Sequence, residues 1–183
     1  MDKNGYVLNI PFRFTGELLT KLKGDTLQPL EGAVFKVNYS EGTGSDYKRK
    51  RTWYFVTDKN GKIKYDRKHL ADNDARFKGK VPASDEMFTT AADINKTALP
   101  TCELHIKEYL APDGYSKDGE MHVIVIKGIR DNNQKFTDKN AVADNTPTIK
   151  DPVASDKWRV RVQAKKIDEN GKGLAGAEFD IYD

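Results

Sequence analysis

The feature that most constrains this chain is its punctuation. Short runs of alternating or β-branched residues are broken every few positions by Gly, Asn and Asp. Successive side chains of a strand point to opposite faces, so such runs suit short half-buried strands. They fall at 6–14, 18–22, 33–39, 52–57, 62–65, 103–109, 122–127, 142–145 and 158–167. Asp58-Lys59-Asn60-Gly61 is expected to join two of them as a tight hairpin, because Asn-Gly accepts the positive φ of such turns. Many short strands at this spacing predict an all-β chain folded as a β-sandwich. One region departs from the pattern. Residues 66–98 are polar, and 83–95 (ASDEMFTTAADIN) suits a short helix with Ser84 as N-cap. This reads as an insertion between strands, and loops of that length are usually functional or mobile.

With 183 residues, the chain can hold one ordinary domain and part of another. Apolar residues make up 37% and charged residues 32%, which fits a modest core under a wet surface. The formal charge is +3, from 31 basic and 28 acidic residues, which argues against a nucleic-acid-binding protein. The basic run Lys48-Arg49-Lys50-Arg51 leads into the aromatic strand Trp53-Tyr54-Phe55 and reads as its solvated start. No stretch is long and apolar enough for a membrane helix. The polar start Met1-Asp2-Lys3-Asn4-Gly5 does not resemble a signal peptide, so an extracellular setting implies a piece of a longer chain. Cys102 is the single cysteine, and stability cannot come from an internal disulfide. Turnover catalysis has no motif here. Cys102 and His105 fall on opposite faces of one strand, and there is no phosphate loop, nucleophile elbow or Cys-x-x-Cys. Asp58–Gly61 and Asp168-Glu169-Asn170-Gly171 lack the closing Glu of a calcium loop and read as turns. No cofactor or metal centre is expected.

The chain repeats itself. Lys21 is followed by a polar turn and Leu30-Glu31-Gly32-Ala33-Val34-Phe35, and Lys166 by a polar turn and Leu174-Ala175-Gly176-Ala177-Glu178-Phe179. Leu30 and Leu174 stand 144 positions apart, a domain-sized period. These features divide the chain into a domain at 1–147, a Pro- and Asp-containing linker at 148–157, and the opening strands of a truncated second copy at 158–183.

Three further stretches stand in order between the copies: Thr57-Asp58-Lys59-Asn60-Gly61, Glu108-Tyr109-Leu110-Ala111-Pro112-Asp113-Gly114-Tyr115, and Asn145-Thr146-Pro147. With the Leu-x-Gly-Ala-x-Phe repeats, this ordered set closely resembles the collagen-adhesin B-type family (SpaA-like pilin domains) of Gram-positive surface proteins, over most of 15–147. Lys23 departs from it, standing where that family usually has Asp, and the insertion is longer than usual. The resemblance implies an all-β, immunoglobulin-like or prealbumin-like Greek-key β-sandwich that serves as a stalk module of a cell-wall adhesin or pilin, extracellular, with neighbouring domains of the same chain as partners. It also implies a self-made isopeptide bond, with Lys21 as nucleophile, Glu108 as proton shuttle and Asn145 as acceptor. Asn140 is the rival acceptor, and Lys166 is the equivalent, unreacted lysine of the second copy. The alternative function is an adhesin that binds a host matrix or cell-surface ligand through 66–98. The competing reading of that insertion is a lid packed on the sandwich.

The chemistry is consistent with these residues. Burial disfavours the charged form of a lysine and raises the pKa of a carboxyl, so a neutral amine and a protonated Glu can coexist in an apolar core. Proximity on fixed strands contributes up to roughly 7–11 kcal/mol toward an otherwise slow amide exchange. Strand parity puts Glu108 on one face with Leu104 and Ile106. It puts Lys166 with Val160, Val162 and Ala164, while Lys21 shares its face with Leu19 but also with Glu17 and Lys23.

Overall fold

A computed structural model describes residues 14–90, 93–130 and 136–154, together with Glu169 and Lys172. Ten strands follow one another along these residues: β1 (Glu17–Lys23), β2 (Val34–Ser40), β3 (Arg51–Val56), β4 (Lys62–Lys64), β5 (Thr89–Thr90), β6 (Asp93–Thr97), β7 (Cys102–Leu110), β8 (Met121–Arg130), β9 (Phe136–Asp144) and β10 (Thr148–Asp151). Five form an antiparallel sheet in the order β3-β2-β7-β8-β9. A three-stranded sheet has β1 at its centre, antiparallel to β4 and parallel to β10. The two sheets bury one core between them. Leu19, Ile63 and Ile149 of the smaller sheet meet Phe35, Val37, Trp53, Phe55, Leu104, Ile106 and Ile124 of the larger. The all-β sandwich read from the strand spacing is the fold observed.

The insertion contains no α-helix among the described residues. It has three short 3-10 turns, at Arg67–His69, Ala71–Asn73 and Ala75–Phe77, and a small β5-β6 ribbon. Ser84 is not an N-cap, because the bonds a helix would need go elsewhere. Its hydroxyl donates to Asp72 Oδ1 at 2.8 Å and accepts from the Tyr54 N–H at 3.0 Å. Asp85 adds a second clasp on the same strand edge. Its N–H donates to the Thr52 carbonyl at 2.9 Å, and its Oδ2 accepts from the Thr52 N–H at 2.7 Å. The insertion is therefore a strap around β3. Ala71, Phe77 and Val81 pack on Val34, Tyr54 and Val56 of the outer face, 84–86 run along the edge, and Met87 turns into the core. Covering an open edge this way removes a template for unwanted strand pairing.

Two other expectations change in the structure. The 58–61 turn is tight, with Gly61 at φ 69° and Asp58 Oδ1 accepting from the N–H groups of Asn60 and Lys62. The strands it joins do not form a hairpin, because β3 pairs in the large sheet and β4 in the small one. It is an arch between layers. The span 148–157 does not begin as a linker, because β10 occupies its first residues and pairs with β1. Nearly all of the expected strand at 6–14, and all of that at 158–167 with Lys166, lie outside the described residues.

Candidate functional site: a buried lysine between two carboxyls

β1 alternates as the core demands after an irregularity between Glu17 and Leu19. Leu19 and Lys21 turn inward, and Lys21 is fully buried. The Lys21 backbone is fixed from both sides: its N–H donates to the Gly61 carbonyl at 2.6 Å, and its carbonyl accepts from the Leu30 N–H at 3.0 Å. β10 alternates in register with it, turning Ile149 and Asp151 inward and leaving Thr148 and Lys150 exposed. Parallel pairing sets Lys21 beside Ile149 and Lys23 beside Asp151, so Asp151 is the diagonal neighbour of Lys21. Gly24 closes that end, its N–H donating to the Asp151 carbonyl at 2.6 Å. A side chain at Gly24 would collide with the Asp151 backbone.

Glu108 comes from the opposite sheet. It lies on β7 with Leu104 and Ile106, all three buried as strand parity predicts. The Lys21 ammonium hydrogen-bonds Oδ1 of Asp151, lies 3.1 Å from Oε2 of Glu108, and stands 5.2 Å from the centre of the Phe35 ring. The second oxygens, Oε1 of Glu108 and Oδ2 of Asp151, have no hydrogen-bond partner in the described structure. One cation faces two carboxyls in an apolar layer, and Glu108 is the one whose burial favours the protonated form. Burial pushes the Glu108 carboxyl up to about 7, against the N–H of Asp118 and the charge of Lys21, which pull it down.

The bond from Asp118 is short: its N–H donates to Glu108 Oε2 at 2.6 Å. The Asp118 side chain is itself held, with Oδ1 accepting from the Glu120 N–H at 2.9 Å and Oδ2 lying 2.7 Å from His122 Nε2. Burial alone would raise the Asp118 carboxyl, but these bonds and the charges of His122 and Lys21 hold it below the usual range. Asp118, Glu120 and His122 bring donor atoms within 4.8 Å of one another, yet Asp118 and His122 already satisfy each other and Glu120 is exposed.

Of the residues singled out from the sequence, Lys21 and Glu108 meet. Asn145 does not join them. It is exposed, at φ 60° in the turn between β9 and β10. The chain resumes pairing beyond it, so the acidic residue of β10 occupies the position beside the lysine that the resemblance assigned to Asn145. Asn140 lies in β9, and its side chain is outside the described residues. Asp151 carried a usable signal. Thr148-Ile149-Lys150-Asp151 alternates, but the flanking Pro147 and Pro152 made the segment read as a linker.

No family model matches the chain, and no curated protein matches it. Among solved structures it is similar to a streptococcal ancillary pilin, at 16% identity and a TM-score of 0.40, over 79% of this chain and 30% of that one. It is also similar to the group B streptococcus pilus 2b backbone protein, at 15% identity and TM-score 0.39, over 80% of this chain and 43% of that one. For the Bacillus anthracis TIE protein the values are 16% identity and TM-score 0.37, over 88% of this chain and 24% of that one. The chain thus spans less than half the length of each of these three.

Proposed function

We propose that this chain is a structural stalk module of a Gram-positive cell-surface pilin or adhesin, and that it crosslinks itself through an isopeptide bond between Lys21 and Asp151. The observation that carries the reading is the fully buried Lys21, bonded to Asp151 and within 3.1 Å of Glu108. Lys21 passes a proton to Asp151, and the neutral amine attacks Cγ. Glu108, protonated at the outset, gives its proton to the departing hydroxyl and recovers one from Nζ. The C–N bond forms, the C–O bond breaks, one water leaves, and Glu108 ends as it began. The reaction happens once per molecule, as maturation without turnover.

The product removes two charges from the core and ties β1 to β10, strands separated by 130 positions in sequence. Both strands lie side by side and parallel, so a pull on the two ends of the module would shear them. A covalent bond across that pair carries the load. Partners in this reading are neighbouring modules of the same polymer or chain, outside the cell, with no role for nucleic acid. The strap formed by 66–98 packs on the sandwich, which favours a structural lid over a ligand-binding surface.

The deciding experiment is intact-protein mass on the wild type and Glu108→Ala, with peptide mapping. A wild-type mass short by one water, restored in Glu108→Ala and mapped to Lys21–Asp151, supports the reading. Loss of one ammonia would return the acceptor to an asparagine. Full masses in both would end the crosslink proposal.

A further inference from the structure

The turn after Glu108 touches the chain on both sides of the reacting pair. Its Asp118 N–H is bonded to Glu108 Oε2. Earlier in the same turn, the Ser116 N–H donates to the Pro152 carbonyl at 2.9 Å and the Gly114 carbonyl accepts from the Ala154 N–H at 3.0 Å. Tyr115 and Val153 form a β-bridge between these bonds. Residues 152–154 directly follow Asp151, so one loop is fastened both to the shuttle and to the backbone that carries the acceptor. Its Asp118 end is held by the bond to His122, which sits on β8 opposite Ile106 of β7. Both side chains of that hydrogen bond are mostly buried.

The bond to Glu108 has a chemical consequence. A carboxyl that gives a proton from one oxygen and recovers one on the other must hold both oxygens in place. The Asp118 N–H and the Lys21 ammonium both occupy Oε2, which leaves Oε1, without a partner in the described structure, as the oxygen that holds the proton. If the loop swung away, the carboxyl could rotate about its last torsion, which is broad and roughly two-fold. The pinned geometry would then be lost.

We propose that Asp118, locked by His122, is a positioning residue for the crosslink: it aims its own N–H at Glu108 and holds the 114–118 turn against 152–154. This rests on the Lys21–Asp151 reading. Neither side chain lies on the proton path.

The test follows bond formation directly. Newly synthesised chain is quenched into denaturant at intervals, and crosslinked and linear forms are separated by mass. His122→Ala and Asp118→Ala are expected to slow bond formation about tenfold, the kinetic equivalent of one charged hydrogen bond. His122→Gln, which keeps a side-chain N–H donor, is expected to restore the rate to within about threefold of wild type. The same substitutions in a Lys21→Ala background, where no bond can form, report folding alone by urea denaturation and should leave a folded domain. If the wild type crosslinks and both alanine variants keep pace, the positioning role is overturned while the crosslink stands. Equal slowing in His122→Gln, or slowing explained by an unfolded Lys21→Ala background, also overturns it. A wild type that never loses water removes both proposals.

Discussion

The Lys21 ammonium and Glu108 Oε2 lie 3.1 Å apart across the sandwich, on strands of opposite sheets, with both side chains fully buried. Such a contact is costly to assemble and becomes more costly when one partner is removed. Deleting one member of a buried pair typically destabilises by about 3–5 kcal/mol, because the other is left as an uncompensated charge. Asp151 complicates the balance by adding a second buried acid beside the same lysine.

Substitution at the acceptor should separate the two candidate residues. Asp151→Ala is expected to keep its full mass, whereas Asn145→Ala should still lose one water, since Asn145 is exposed in a turn. Without the bond, a chain closed over 130 positions should lose about 4–5 kcal/mol of stability on the chain-entropy account. Urea denaturation of Asp151→Ala against wild type measures that loss. Asn145→Ala should cost only about 1 kcal/mol, because Ala lacks the short polar side chain with which Asn tolerates the left-handed region at φ 60°.

Bond formation should depend on pH with a definite sign. The proposed reaction starts from a protonated Glu108, whose carboxyl burial raises from 4.5 to about 7. Below that value the proton is present. Above it the fraction of reactive clusters falls about tenfold per pH unit. Linear chain refolded from denaturant at a series of pH values, with crosslinked mass followed in time, should show a descending limb through neutral pH. A rate that instead rises across that range would count against Glu108 as the acid. Glu108→Gln should fold yet remain linear.

Gly61 links the interlayer arch to the reactive strand. It stands at φ 69°, and an added β-carbon would collide with the Lys21 carbonyl. Gly61→Ala is expected to destabilise by about 1–3 kcal/mol through strain at the left-handed position, and by more if the clash moves β1. The urea midpoint reads the first effect, and slower crosslinking at a permissive temperature reads the second.

The strap depends on Asp72, which accepts from both the N–H and the hydroxyl of Ser84 at 2.9 and 2.8 Å. Asp72→Ala is expected to cost about 1–3 kcal/mol by leaving those donors without their acceptor. It should also loosen the cover over β3. Self-association measured by sedimentation should then rise, because an uncovered edge offers unpaired backbone groups.

Much of this was legible in order along the chain. Periodicity and turn residues located most of the strands, and parity alone placed Glu108 on a buried face with Leu104 and Ile106. These are local properties, set by the two-residue repeat of a strand and the conformational needs of Gly and Asn. Lys21 was located by its place before the Leu-Glu-Gly-Ala-Val-Phe repeat more than by its own strand, whose pattern is blurred by the irregularity near Glu17. The tertiary structure decided three things that no local pattern holds. The strap abandoned its helix because Ser84 and Asp85 gain more from the open edge of β3 than from a cap. The 58–61 turn became an arch because its two strands join different sheets. Asp151 reached Lys21 because β10 pairs in parallel with β1 across 130 positions of chain. A sequence specifies which side chains share a face of one strand. Which strands become neighbours is settled by the joint burial of two sheets, and that pairing selects the carboxyl beside the lysine.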